Sequence, residues 1–169
     1  SEMARKLGIG VRHDLPMSAV SEGLAPDKSW KQQKYKTDWL VGDTLNAGIG
    51  QGFVLASPLQ LAVMTARIAT GRAISPRLVR AVDTAEQPLP EAPPLGLSAE
   101  VLNAVRQGMH DVVNSKRGTA NGSRIVEDAF RMAGKTGTSQ VRNISAAERA
   151  AGVISNDDLP WNRRDHALF

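Results

Sequence analysis

The densest chemistry in this sequence lies in Gly134-Lys135-Thr136-Gly137-Thr138-Ser139-Gln140, which sets one lysine, three hydroxyls and two glycines in seven residues. The run from Met132 to Val141 has no proline, and Thr136, Thr138 and Val141 favour a strand. Alternation along a strand puts Thr136 and Thr138 on one face. Two hydroxyls on one face, beside an ammonium, make a grip for a carboxylate or a phosphate. Gly137 lies between them, where a bare backbone lets a ligand or another chain segment come close. By the same alternation Lys135 faces away from Thr136, so its reach depends on local twist. Gly134-Lys135-Thr136 also matches the tail of a phosphate-binding loop. That loop needs a glycine where Ala129 stands and a helix after Thr136, and Gly137 is a poor start for a helix. A strand end followed by a polar turn is the reading without function.

These residues need a scaffold, and 169 residues suffice for one domain with a real core, or for a large piece of one. Hydrophobic content is 41%, ordinary for a globular chain, and aromatics are sparse at 4%. No apolar run approaches a transmembrane helix. The first residues read as mid-helix and the last three as the start of a strand, so both ends are expected to be cuts in a longer chain. Without cysteine there is no disulfide or thiolate chemistry, and the compartment stays open. A net charge of +4, from 21 basic and 17 acidic residues, suits an anionic surface or ligand but is no nucleic-acid signature. Lys28, Lys31, Lys34 and Lys36 interleave with Trp30, Tyr35 and Trp39. This run reads as a solvated loop with one or two aromatics anchored in the core, rather than a platform for single-stranded nucleic acid.

Taken in order, residues 1–7 read as a helix end closed by Gly8 and Gly10. Residues 11–41 read as mostly loop, broken by Pro16, Gly23 and Pro26. Asp43 to Phe53, with Gly48, Gly50 and Gly52, reads as too flexible for a helix or strand. Its glycine spacing also fails the dinucleotide fingerprint. Ser57 and Pro58 open a helix that Gly71 stops, apolar nearly all round and so expected to be central. A short strand is expected over Leu78–Val82, and an exposed extended connector over 84–94, with four prolines. Ser98 caps a second helix running to about Val113, with Val101, Leu102, Val105, Met109 and Val112 as its buried stripe. Residues 118–123 are turn-rich, and 125–130 are expected to be partly extended. After Arg142 the chain reads as loop, with a short helix over Ala146–Ala151. Ala167–Phe169 is expected to pair antiparallel with the Lys135 strand.

Other polar residues read as structural. His13, His110 and His166 show no metal spacing and no local triad signature. His110, near the buried stripe, reads as structural. Asp43 and Asn46 read as holding loop backbone, Gln140 and Arg142 as exposed, and Trp39 and Trp161 as core anchors.

Read together, several stretches resemble one family. Gly42-Asp43-Thr44-Leu45-Asn46-Ala47-Gly48-Ile49-Gly50-Gln51-Gly52 leads into Ser57-Pro58-Leu59-Gln60-Leu61-Ala62. Gly118-Thr119-Ala120 follows, then Ala133-Gly134-Lys135-Thr136-Gly137-Thr138-Ser139-Gln140. Their order and spacing resemble the transpeptidase domain of class B penicillin-binding proteins, nearest to the members specific for cell elongation. The likeness covers most of the chain and is weakest over 84–96 and 143–164.

That resemblance implies an α/β fold in the α+β sense, with an antiparallel sheet and packed helices, of the penicillin-binding and β-lactamase type. It implies serine acyl transfer, as a peptidoglycan D,D-transpeptidase acting on the D-Ala-D-Ala end of stem peptides, with β-lactams as suicide substrates and no cofactor. The hydroxyls of Thr136 and Thr138, with Gly137 between, would hold the substrate carboxylate. The Thr138 N–H would form half of an oxyanion hole, a donor whose loss costs about 3 kcal/mol. Lys135 would supply positive potential and tie the strand to a Ser-x-Asn motif. The resemblance also implies a periplasmic domain anchored in the inner membrane, working beside a membrane glycan polymerase, with no nucleic acid as partner.

The sequence departs from the family at two motifs. No serine has lysine three positions on, and no Ser-x-Asn occurs. The chain is therefore expected to be the C-terminal portion of one transpeptidase domain over residues 1–169, lacking those motifs and the last strand and helix, and inactive alone. The other expectation is a non-catalytic remnant of the same fold that binds peptidoglycan or a partner.

Overall fold

The computed structural model describes residues 2–142 and 144–169. The chain divides into two compact units, Ser1–Asn103 and Ala104–Phe169.

The first unit opens with α1 (Glu2–Lys6), followed by α2 (Lys28–Tyr35), α3 (Val41–Gly48) and α4 (Pro58–Thr70). A small antiparallel hairpin, β1 (Ala81–Val82) and β2 (Ala85–Glu86), comes next. It turns at Asp83, whose φ is 52°. Helix α5 (Ala99–Asn114) begins in this unit. As the sequence predicts, Ser57 caps α4, and Gln60 completes a capping box. The Gln60 N–H donates to the Ser57 hydroxyl at 3.3 Å, and the Ser57 N–H donates to Gln60 Oε1 at 3.0 Å. The Gly71 N–H closes the helix on the Arg67 carbonyl at 2.8 Å.

The core of this unit gathers Ile9, Leu15, Val20, Ala25, Val63 and Leu95, and at its centre a polar side chain, Gln60, is fully buried. Gln60 Nε2 donates to the carbonyls of Val11 at 3.0 Å and Glu22 at 2.7 Å. One amide thus ties the loop before α2 to the start of α4, and the loop's backbone groups find partners they would otherwise lack. His13 is also buried, and its Nε2 has no hydrogen-bond partner. Burial, and then the nearby Arg67 charge, hold its pKa below the ordinary histidine value against a smaller opposing backbone bond at Gly8.

Several expectations need correction here. Residues 11–41 are mostly loop, as expected, but they hold one helix that the sequence reading did not place. Asp27 accepts the Trp30 N–H at 2.9 Å and starts α2, which ends at Lys36 in the left-handed conformation. The helix carries almost no apolar period, so its cap was the only local sign of it. The basic-aromatic run is therefore helical from Lys28 to Tyr35, and Trp30, Tyr35 and Phe53 pack together at ring centroid separations of 5.1–5.7 Å. The glycine run also holds a helix, α3. Asp43 stabilises its start by accepting the Leu40 N–H at 2.7 Å and pairing with Lys31. These contacts hold the Asp43 carboxyl below its ordinary pKa, the Lys31 hydrogen bond contributing most and the Leu40 N–H next. Asp43 does hold backbone, as expected. Helix α4 is less central than its composition suggests, because only Gln60 and Val63 are buried. The strand over Leu78–Val82 shrinks to two residues, and β2 sits inside the stretch read as an extended connector. On α5, Leu102 and Val113 are buried while Val101 and Val105 are exposed, so its buried face is rotated from the expected one.

Gln60→Met keeps the shape but takes the buried amide away from two carbonyls and one N–H, so it is expected to lower stability by about 3 kcal/mol; urea unfolding measures this. Asp43 contributes stability above its unfolded pKa, and that contribution is lost as pH falls through the lower folded value. Asp43→Asn is therefore expected to lower the melting temperature at pH 7 and to flatten its fall toward pH 3, as followed by circular dichroism.

Candidate active site

The second unit holds the later turns of α5, then β3 (Gly137–Ser139), α6 (Ala146–Ala151) and β4 (His166–Leu168). Strands β3 and β4 pair antiparallel, with Gly137 opposite Leu168, Thr138 opposite Ala167 and Ser139 opposite His166. This is the pairing expected from sequence, although the strand is shorter than Met132–Val141. Helix α6 falls where the sequence places it. Residues 125–127 have no regular structure, and Asp128–Phe130 is a single tight helical turn rather than extended.

The segment ahead of β3 is fixed by close approach. The Gly134 N–H donates to the Met109 carbonyl on α5 at 3.0 Å. Gly134 is buried, and a Cβ there would collide with the Phe169 ring. Asn114 clamps the same region, its Nδ2 donating to the carbonyls of His110 and Met132, both at 2.9 Å. At the other end of β3, Asp165 accepts the Val141 N–H at 2.9 Å. Asn156 Oδ1 in turn accepts the Asp165 N–H at 2.8 Å.

Between these anchors the candidate residues are open. Every residue of β3 is exposed, and Lys135 is exposed as well. Thr138 sits at the middle of the strand. Alternation puts it on the face opposite Gly137 and Ser139, and carrying that alternation back returns Thr136 to Thr138's side. Lys135 does not stay on the far side. Its Nζ folds back to the Thr136 carbonyl at 2.6 Å and lies 3.4 Å from the Thr136 hydroxyl. The arrangement brings one ammonium and the Thr136 hydroxyl together beside an open strand. Such a group can neutralise and hydrogen-bond a carboxylate.

Sequence reasoning passed over one residue here. The Thr119 hydroxyl lies 3.0 Å from the Thr136 hydroxyl. The only signal was Gly118-Thr119-Ala120, a motif that the resemblance includes without assigning it a contact. Two further readings are corrected. Arg142 is mostly covered, its Nη1 gripping both Glu148 oxygens at 2.6 and 2.8 Å. Trp161 is 76% exposed and anchors no core. Trp39 is half-buried, with its indole N–H donated to the Thr44 hydroxyl at 2.8 Å. His110 faces Asp111 at 3.4 Å. Among the described residues no cluster of His, Asp or Glu could hold a metal ion, and no helix is long and apolar enough to cross a membrane.

Comparison with known proteins places this geometry. The penicillin binding protein transpeptidase domain family matches residues 1–154. The peptidoglycan D,D-transpeptidase MrdA of Haemophilus influenzae is 32% identical over 176 aligned residues, covering 100% of this chain and 26% of that protein. The solved complex of penicillin-binding protein 2 and MreC from Helicobacter pylori matches with a TM-score of 0.73 and 34% identity, covering 96% of this chain and 27% of that one. A structure described as the structural coordination of polymerization and crosslinking by a peptidoglycan synthase complex matches with a TM-score of 0.66 and 35% identity, covering 82% and 22%. The chain thus spans about a quarter of the length of the curated relatives it matches. With a strand of the Lys-Thr-Gly type laid open beside β4 and the family matched over nearly its whole length, this chain belongs to the penicillin-binding protein transpeptidase family.

Proposed function

We propose that these residues form the C-terminal portion of the transpeptidase domain of a longer peptidoglycan D,D-transpeptidase that works in cell-wall elongation. The observation that carries this reading is the Lys135–Thr138 segment, exposed except for a half-buried Thr136, with the Lys135 ammonium folded onto Thr136 beside an open strand. The substrate is the D-Ala-D-Ala end of a stem peptide, and β-lactams imitate it.

Each residue then has a physical task. The terminal carboxylate of the substrate accepts hydrogen bonds from the Thr136 and Thr138 hydroxyls, near the Lys135 charge. Gly137, without a side chain, leaves the peptide room to lie against the strand. The Thr138 N–H donates to the carbonyl oxygen as it becomes negative in the transition state. The serine nucleophile and its lysine come from outside these 169 residues, since the sequence holds no Ser-x-x-Lys. The exposed apolar residues support a larger domain. Leu40, Val41, Leu45 and Ile49 are each more than 60% exposed along one short stretch, a patch that the rest of a longer protein would cover. The family relatives further suggest an inner-membrane protein with this domain in the periplasm, acting beside a glycan polymerase.

The full-length protein is expected to be labelled covalently by a fluorescent penicillin, and the 169-residue chain alone is not. In the full-length protein, Thr138→Val is expected to lower the second-order acylation rate about tenfold, the worth of one hydrogen bond to a charged group. Labelling of the short chain by itself, or no labelling of the full-length protein, sinks the proposal.

A further inference from the structure

We infer that Thr119 is a positioning residue, which sets the direction of the Thr136 hydroxyl proton so that Thr136 can donate to an anionic ligand. The inference rests on the transpeptidase reading above and adds to it a residue on a different segment.

A hydroxyl has one proton to donate and two lone pairs to accept with. An ionised carboxylate only accepts, so Thr136 can grip one only by giving it that single proton. Two groups crowd the Thr136 oxygen. Lys135 Nζ lies 3.4 Å away and can only donate. Thr119 Oγ1 lies 3.0 Å away and can do either. If Thr136 donates to Thr119, its proton is spent and the grip is lost. If Thr119 donates to Thr136, both lone pairs are occupied and the Thr136 proton is left for the ligand. A carboxylate selects this second arrangement, because it is a stronger acceptor than the Thr119 hydroxyl, and the Lys135 donor on one lone pair makes the Thr136 O–H a better donor to it.

The position of Thr119 is not incidental. Gly118 lies so close to α5 that a Cβ there would collide with the carbonyls of Asp111 and Val112. The Ala120 N–H donates to the Val112 carbonyl at 3.0 Å, and Asn121 Nδ2 donates to the Val113 carbonyl at 3.1 Å. The turn is bolted to the helix on both sides of Thr119. Its hydroxyl is thus held where it meets Thr136, while the residue itself stays exposed.

The test uses the full-length protein and two acylating probes, a penicillin with a free carboxylate and the methyl ester of the same penicillin. Thr119→Val keeps the shape and removes the hydroxyl. Acylation by the free acid is expected to slow about tenfold, the worth of one charge-assisted hydrogen bond, with the ester slowed much less because its neutral carbonyl accepts a weaker bond. Thr119→Ser is expected to retain the wild-type preference for the acid. Unchanged melting temperatures for both variants would show that the fold is intact. Equal slowing with acid and ester marks a purely structural role and overturns the inference, as does an unchanged acid rate. A wild-type protein that neither probe acylates removes the transpeptidase reading, and this inference with it.

Discussion

A helix end leaves carbonyls without partners, and in the second unit two of those carbonyls, with two more a turn earlier, hold the candidate site in place. The last turns of α5 present the oxygens of Met109, His110, Val112 and Val113; no further turn of helix reaches the last two, and the first two each accept a further bond from outside the helix ladder. Gly134 takes the first, Asn114 the second, Ala120 the third and Asn121 the fourth. Two of those four donors lie in the turn that carries Thr119, and one lies two residues before Thr136. The need to pair backbone at the end of one helix therefore brings two distant segments to a common place. Glycine is required at both approaches, because a side chain at Gly118 would meet carbonyls and one at Gly134 would meet the Phe169 ring. Hydrogen bonding and steric exclusion act together here, and neither alone would fix the separation of the two threonines.

The first unit solves a similar problem by a different route. Its long stretch before α2 carries backbone groups with no ladder to join. Gln60, fully buried, serves two of its carbonyls and the Ser57 N–H with a single amide. A buried polar group is costly when half-satisfied and specific when complete. Here the same side chain also completes the cap of α4, so the start of the helix and the path of the loop are set by one rotamer. The Lys31 and Asp43 pair plays the matching part for α2 and α3, joining a helix that the aromatic trio steadies to one that glycines weaken.

What could be read from sequence follows from which forces act locally. The capped helices α4 and α5, the short helix α6 and the pairing of β3 with β4 were all legible, because caps, apolar period and strand preference lie within a few residues of the element. Helices α2 and α3 were not. The first is polar nearly throughout and the second holds two glycines, so neither shows a period, and both rest on contacts from elsewhere in the chain. Burial was read least well. Apolar residues such as Val101 and Val105 obey the helical spacing yet face solvent, since spacing shows that a stripe exists and not what covers it. At the site, the strand residues were visible as a motif. Thr119 was not, because a contact across 17 positions leaves no trace in local spacing.

The strand itself explains why so much surrounding structure is needed. A ribbon of two three-residue strands, exposed at every position, has little stability of its own. Left alone it would fray, and hydroxyls placed on it would wander by more than a hydrogen bond tolerates. The ribbon is instead held at both ends, by Gly134 on α5 and by Val141 on the Asp165 carboxylate. The middle can then stay bare, without a covering layer to shut out a ligand. On the proposed reading, a site that accepts a peptide along its edge cannot bury that edge, so its rigidity has to come from anchors placed beyond the contact region. The exposure of Thr138 and the crowding around Gly134 are two sides of that requirement, and loosening either anchor would blur the geometry without touching a single residue that meets the ligand.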